Sequence, residues 1–361
     1  MPASSSPPPP EAAPRPPSRS RRLILRLVAG AITLVVVLAA AAGGAVWWAE
    51  KQYQKPGPLA SAKIVIIPKG AGLADIAERL EAAGVIERPI VFRLVTRYED
   101  KAHLLKAGEY QFPAAVSQEA VIRLLIEGKT VVHHLTVAEG LTTAEVLQIV
   151  ARADALDGTI TDKPGEGTLL PETYNFSRGD GRNAIVQRME KAMSDTLDQL
   201  WAKRAPNLPL RSKSEALILA SIVEKETGVA SERPRVAAVF INRIRRGMRL
   251  DSDPTVIYGL TEGQGPLNRP LLIKDVEAKT PYNTYQIDGL PPGPIANPGR
   301  AALEATLNPA DTKDLFFVAD GSGGHVFSET LGEHNRNVAR WRALQRERRD
   351  AADGKAPGAG K

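Results

Sequence analysis

The 361-residue chain has no cysteine. Disulfide bonds, thiol nucleophiles and cysteine-ligated metals are therefore excluded. Histidine is scarce, with five in the whole chain. His325 and His334 stand apart from other ligand types, and His133 and His134 read as strand surface, so no metal site is expected. A nucleotide-binding glycine loop, a G-x-S-x-G elbow and zinc-ligand spacing are all missing, and no cofactor is expected. A sustained basic stripe is missing as well. The formal charge of +6 gathers near the two ends, at Arg15, Arg19, Arg21, Arg22 and Arg26 and again at Arg336, Arg340, Arg342, Arg346, Arg348 and Arg349. The middle is nearly balanced, which argues against a nucleic-acid partner.

What the chain does have is 43% hydrophobic residues and length for two or three domains. Residues 27–49 are apolar, uncharged and long enough to cross a bilayer as a helix. Arginines precede the run, and Trp47 and Trp48 close it as an interfacial aromatic pair. A single-pass anchor in the inner (plasma) membrane is expected, with the N-terminus cytoplasmic and everything after it outside. A cleavable signal peptide competes with this reading, because residues 40–45 are small. The Pro-, Ser- and Arg-rich stretch 1–26 is expected to be a disordered cytoplasmic tail. Residues 50–62, with Pro56, Gly57 and Pro58, read as a linker, and 350–361 as a flexible tail.

Between these ends the fold class is α+β. A strand at 64–67, a turn at 68–72 and a helix carrying Leu73, Ile76, Ala77 and Leu80 open a small α/β domain over 63–131. A helix marked by Val91, Leu94 and Val95, a strand at 108–112 and a helix closed by Gly128 complete it. The segment IIPKGAGLADIAERL from Ile66 is partly repeated as TVAEGLTTAEVLQIV from Thr136. Two such strand–turn–helix units side by side suggest a LysM-like arrangement, with glycan binding and simple positioning both open. A mixed α+β domain follows over 132–349, its first part able to pack with the LysM-like unit.

The larger domain is organised around residues 212–258. Ser212 and Glu215 have the S-x-x-E spacing of a capping box. Residues 216–223 are apolar nearly all round, which predicts a buried helix ended by Gly228. Glu224 lies where this run meets charged residues, on the face of Leu217, Ala220 and Ser221. Glu226 turns toward Leu219, Ile222 and Val223. A carboxylate at the mouth of an apolar helix is pushed toward its protonated form and suits general-acid work near neutral pH; Lys225 opposes that shift if it faces the same way. A solvated surface glutamate is the competing reading of the helix taken alone. Pro234, Val236, Val239, Phe240, Ile244 and Gly247 outline the next helix. A polar turn is expected at 251–254, ordered loops or a groove wall at 281–284 and 290–299, a hairpin from 315–319 and 325–328, and a final helix over 333–348.

The segments ASIVEKETG, ERPRVAAVFINRIRRGMRLDSDPTVIYG, PYNTY, GLPPGPIANPG and FFVADGSGGHVFSETLGEHN occur in that order. Together, over residues 64–335, they resemble the MltG (YceG-like) endolytic murein lytic transglycosylase family. The resemblance implies a catalytic domain over 132–349 with Glu224 as the catalytic residue. It implies cleavage of the β-1,4 bond between N-acetylmuramic acid (MurNAc) and N-acetylglucosamine (GlcNAc) in nascent peptidoglycan, leaving 1,6-anhydroMurNAc ends. It also implies a role in setting strand length beside peptidoglycan synthases, the penicillin-binding proteins. Two positions depart from the family pattern. Asp251 stands where glutamine is common, and Glu172 with Tyr174 stands where P-D-T-Y is common.

Asn242, Ser252, Asp253, Tyr258, Asn283 and Tyr285 are the candidate substrate-binding residues, because amides, hydroxyls and aromatic faces suit N-acetyl sugars. Thr255, Tyr282 and Thr284 are further candidates. Turn-forming and packing duties are the alternative for each. Glu226 is either a group supporting Glu224 or a surface carboxylate. Two other functions stay open: a lysozyme-type hydrolase with Glu224 as acid and Asp253 as partner, and a wall-binding scaffold without chemistry.

Overall fold

The computed structural model describes residues 19–352. Of the expected tails at 1–26 and 350–361, residues 1–18 and 353–361 lie outside the described residues, while 19–26 and 350–352 are helical instead. The chain divides into two compact units, Met1–Val131 and Val132–Lys361.

The first unit begins with α1 (Arg19–Gln54). Its Leu23–Gln54 portion is long and apolar enough to cross a membrane by length and composition. The helix runs past the expected 27–49 at both ends, since no proline or other breaker interrupts residues 19–26 or 50–54. There follow β1 (Lys63–Ile67), α2 (Leu73–Ala82), α3 (Pro89–Tyr98), a short 3₁₀ turn, β2 (Gly108–Phe112) and α4 (Gln118–Glu127). β1 pairs antiparallel with β2, Val65 opposite Tyr110. One face of this ribbon and the inner faces of α2, α3 and α4 bury Ile67, Leu80, Phe92, Phe112 and Leu125 in a common core. Tyr53, in the last turn of α1, joins the same core. The stretch read as a linker is held rather than loose. The Gly57 N–H donates to the carbonyls of Ala115 and Val116 at 3.2 and 3.1 Å, and a Cβ at 57 would come within 2.2 Å of the Val116 oxygen.

The second unit opens with β3 (Val132–Thr136), α5 (Thr143–Ala151), β4 (Leu156–Asp157), β5 (Thr173–Ser177) and β6 (Asp180–Gly181). It continues with α6 (Arg182–Ala202), α7 (Lys213–Glu226), α8 (Arg233–Arg245), α9 (Asp253–Thr261), α10 (Ile273–Glu277) and α11 (Arg300–Leu307). The hairpin β7 (Phe316–Ala319) and β8 (His325–Ser328) and then α12 (Leu331–Ala352) complete it. β3 pairs with β5, and β7 with β8, both antiparallel. The two halves of the internal repeat, β1–α2 and β3–α5, thus fall in different units and different sheets. They do not form one side-by-side domain, because each strand finds its partner in its own downstream sequence.

Helix α7 is the centre of the second unit. Residues Ala216, Leu217, Ile218, Leu219, Ala220, Ser221, Ile222 and Val223 are all buried, and α6, α8, α9 and α11 pack around it. Ser212 caps its start by accepting from the Glu215 N–H. The reciprocal arm goes elsewhere: the Glu215 carboxylate accepts from the Arg211 N–H at 2.6 Å, so half of the expected capping box forms. The helix ends at Glu226, with extended Thr227 as its C-cap, two residues before Gly228. The expected polar turn at 251–254 is instead the start of α9, with Pro254 in its first turn, a position proline favours because it needs no N–H partner. Replacing the fully buried Leu219 by alanine should cost about 2–5 kcal/mol, measured as a lower midpoint in urea unfolding at unchanged slope.

Candidate active site

Glu224 sits in the last turn of α7, where the helix leaves the core. Its side chain is 6% exposed. One carboxylate oxygen accepts from the Gly299 N–H at 2.9 Å, and Gly299 is the N-cap of α11, so the positive end of a helix faces the carboxylate. The other oxygen lies 3.4 Å from an Arg233 guanidinium nitrogen. Arg233 enters from the first turn of α8 and also lies 3.8 Å from Glu139. Its Nε is buried without a hydrogen-bond partner among the described residues.

Burial pushes Glu224 above the usual carboxylate range and the neighbouring Glu139 charge adds to this, while the Gly299 N–H, Arg233 and Lys225 pull it down. Burial wins. The Lys225 ammonium donates to the Gly140 carbonyl at 3.0 Å. The sequence left open whether cations would cancel the effect of burial; this geometry resolves it toward a raised value.

Three chain segments, around Gly140, Leu169 and Asn297, are pinned together by one side chain. Asn297 accepts from the Leu169 N–H at 2.9 Å. Its amide donates to the Leu141 carbonyl at 3.0 Å and the Thr143 hydroxyl at 3.2 Å. Its backbone carbonyl takes the Gly140 N–H and its N–H meets the Leu141 carbonyl. Ser221, one turn before Glu224, accepts from the Ile295 N–H at 3.0 Å, which fixes the same loop to α7. A Cβ at Gly299 would lie 1.8 Å from a Glu139 carboxylate oxygen, so any side chain there must move the half-exposed Glu139 side chain aside.

The network extends to a half-buried second acid. Glu166 accepts from the Thr143 N–H at 2.8 Å, the Thr143 hydroxyl at 3.1 Å and the Tyr258 hydroxyl at 3.3 Å. Burial raises its pKa against those donors. Tyr258 packs on Tyr282 with ring centroids 4.8 Å apart. Tyr258 is therefore tied to Glu224 through Glu166, Thr143 and Asn297.

The remaining candidates form other groups. Glu226 accepts from the Ser252 hydroxyl. The Ser252 N–H donates to Thr284, whose hydroxyl is 2.8 Å from that of Thr255. Asp253 accepts from the Tyr285 hydroxyl at 2.8 Å, and its charge helps raise Glu226. Ser252, Asp253 and Tyr285 thus gather beside Glu226, not Glu224. Asp251 accepts from Arg243 at 2.9 Å. Asn283 is 0% exposed, and its amide donates to the carbonyls of Asp275, Val276 and Ala278. Asn242 donates to the carbonyls of Thr312 and Asp314. These two amides, expected in sequence to meet sugar, are used up in holding α10 and the chain before β7. Sequence reasoning passed over Glu139, Glu166, Arg233, Asn297 and Gly299. The repeated Gly turn at 139–140 and the Asn-Pro-Gly turn at 297–299 were the available signals.

The site thus holds one buried glutamate side chain with a cation and an N–H donor, on a mixed α+β scaffold. The chain belongs to the YceG-like family, which matches residues 65–340. A Bacillus subtilis (strain 168) protein named endolytic murein transglycosylase is 31% identical over 314 residues, covering 78% of this chain and 85% of that protein. A Streptococcus pneumoniae (serotype 2, strain D39) protein of the same name is 29% identical over 322 residues, covering 76% of this chain. The alignment spans 57% of that longer relative. The crystal structure of a yceG-like protein from Listeria monocytogenes is 32% identical, covers 76% of this chain and 98% of its own, and has a TM-score of 0.47.

Glu226 makes a separate prediction. Burial raises it from 4.5 to about 7, against the Ser252 hydroxyl, His325 and Arg243, which lower it. Its neutral form is favoured in the fold, so its contribution to stability is complete below the unfolded value of 4.5 and is lost as pH rises through about 7. Glu226→Gln should therefore be more stable than the parent at about pH 8, by up to about 3 kcal/mol. The two should converge in acid, read by urea unfolding across that range.

Proposed function

We propose that the chain is an endolytic peptidoglycan lytic transglycosylase that cleaves the β-1,4 MurNAc–GlcNAc bond and leaves 1,6-anhydroMurNAc ends. The observation that carries this is the buried Glu224 side chain, biased toward its protonated form while a helix N-terminus and an arginine stand ready for its anion. The names of the relatives supply the substrate class. The apolar Leu23–Gln54 helix supports anchoring in the inner membrane with the second unit outside, near newly made strands. There the enzyme sets strand length beside the synthases. The first unit acts as a LysM-like element and the second as the catalytic domain.

Glu224 works twice on one sugar. Protonated, it gives its proton to the glycosidic oxygen as the bond to MurNAc C1 breaks, and GlcNAc leaves with a free 4-hydroxyl. The Glu224 carboxylate then takes the proton from the C6 hydroxyl of the same MurNAc as O6 bonds to C1. The 1,6-anhydro ring closes, Glu224 regains its proton, and no water is consumed. The nucleophile is already tethered, so no second carboxylate is needed to hold a water. The Gly299 N–H and Arg233 stabilise the carboxylate between the two steps. Asp253, engaged by Tyr285 and grouped with Glu226, gives no support to the hydrolytic alternative.

Glu224→Gln should lower strand cleavage roughly 10²–10⁴-fold. Mass spectrometry of the parent's products should show ends lighter by one water than reducing ends. Only reducing ends would overturn the lyase reading. Undiminished cleavage by the variant would remove Glu224 as catalyst, and strand binding without cleavage by either form would favour the scaffold. Glu139→Gln removes the charge that helps raise Glu224. Its alkaline limb in a pH–rate profile should therefore shift to lower pH, because the acid form is lost earlier.

A further inference from the structure

Helix α3 buries Val91, Phe92 and Thr96 against the first unit's core. Its other face is bare: Ile90, Leu94 and Tyr98, each one turn apart, are 61%, 64% and 92% exposed. Such a stripe is what an amphipathic helix turns toward a partner. With Leu73 and Ala74 of α2 it walls a groove of about 200 Å³, whose other lining residues are Arg93 and Arg97. Those arginines, also a turn apart, make no ion pair among the described residues. The acids near the helix ends have partners of their own, Glu87 with Lys55 and Glu99 with Lys101, and Asp100 lies by His103. The face is therefore apolar with uncompensated positive charge beside it.

Its location says what covers it. The end of α1 packs on α3 and α4. The Arg88 guanidinium, at the N-cap of α3, lies over the Trp48 ring, 5.1 Å from its centroid. Trp48 closes the exposed apolar run of α1. With Tyr53 in the core and Gly57 bonded to Ala115 and Val116, α1 is fixed to the unit rather than trailing from it. The bare face of α3 thus begins beside the point where the apolar helix ends.

We propose that α3 docks on the anionic lipid surface from which α1 emerges. Ile90, Leu94 and Tyr98 enter the headgroup–acyl boundary, and Arg93 and Arg97 meet lipid phosphates. This rests on the reading of α1 as a membrane span. A basic helix with an apolar stripe and an exposed tyrosine has the chemistry of an interfacial element. The tether makes even a weak surface affinity effective, because the bilayer is always within reach.

The chain has no cysteine, so a single introduced thiol reports one place. Full-length protein carrying a fluorophore at Leu94→Cys is placed in nanodiscs with brominated acyl chains, with and without phosphatidylglycerol. A second preparation carries the label at Val37→Cys in α1. The position-94 probe should be quenched several-fold more in phosphatidylglycerol discs, and Arg93→Gln with Arg97→Gln should abolish the difference. The position-37 probe should be quenched in every disc. An unquenched position-94 probe beside a quenched position-37 probe overturns docking and leaves the span standing. Loss of quenching at 37 overturns the span, and docking with it. Shielding of position 94 in detergent with a doubled particle mass shows a second copy on the face, which also overturns docking to lipid.

Discussion

The side-chain amide of Asn297 is the constraint on which the rest of the site depends. Through one residue, the segments around 140–143 and Leu169 share a single set of hydrogen bonds with the 297–299 turn. The Gly299 N–H reaches Glu224 because this loop cannot shift without breaking several bonds together. Bonds of this kind in a buried place contribute more by fixing one arrangement than by net strength, since each unmade partner would carry its full desolvation cost.

Three partly buried glutamates in the second unit show how differently one residue type can be handled. Glu224 is given a cation and a helix end, so it can exist in both protonation states. Glu166 is ringed by hydroxyl and N–H donors and serves as a fixed acceptor. Glu226 has a single hydroxyl partner and the highest resulting pKa. A large shift is therefore a poor guide to catalysis by itself. The acid proposed for turnover is the one whose anion is also provided for.

Much of the fold was legible in the sequence. The run at 216–223 is apolar on all sides, which admits a buried helix and little else, and the face assignments of Glu224 and Ser221 follow from helical spacing alone. The strands of the first unit and the β7–β8 hairpin lie within a residue of where alternation and turn residues put them. The start of α9 was present as Pro254 but was read as a turn, because Asp, Ser and Pro serve both purposes. Asn283 and Asn242, candidates for sugar in the sequence, bond backbone carbonyls in the structure, for a chemical reason. An amide that binds an N-acetyl group and one that binds a backbone carbonyl are the same group, and only burial separates them. Asn297 carries only the signature of an Asn-Pro-Gly turn; its hydrogen-bond partners are long-range in sequence, and periodicity carries no such information.

Gly299 and Glu139 occupy one volume from opposite directions. A side chain at 299 must displace the very carboxylate that favours the acid form of Glu224, and residue 299 itself carries the N–H that favours its anion. The two influences on Glu224 are thus not independent dials. Across descendants of this chain, a change at 299 is accommodated most easily alongside a shorter residue at 139, which clears the space. These distant positions should therefore drift as one locus, leaving a paired signature in the sequence record.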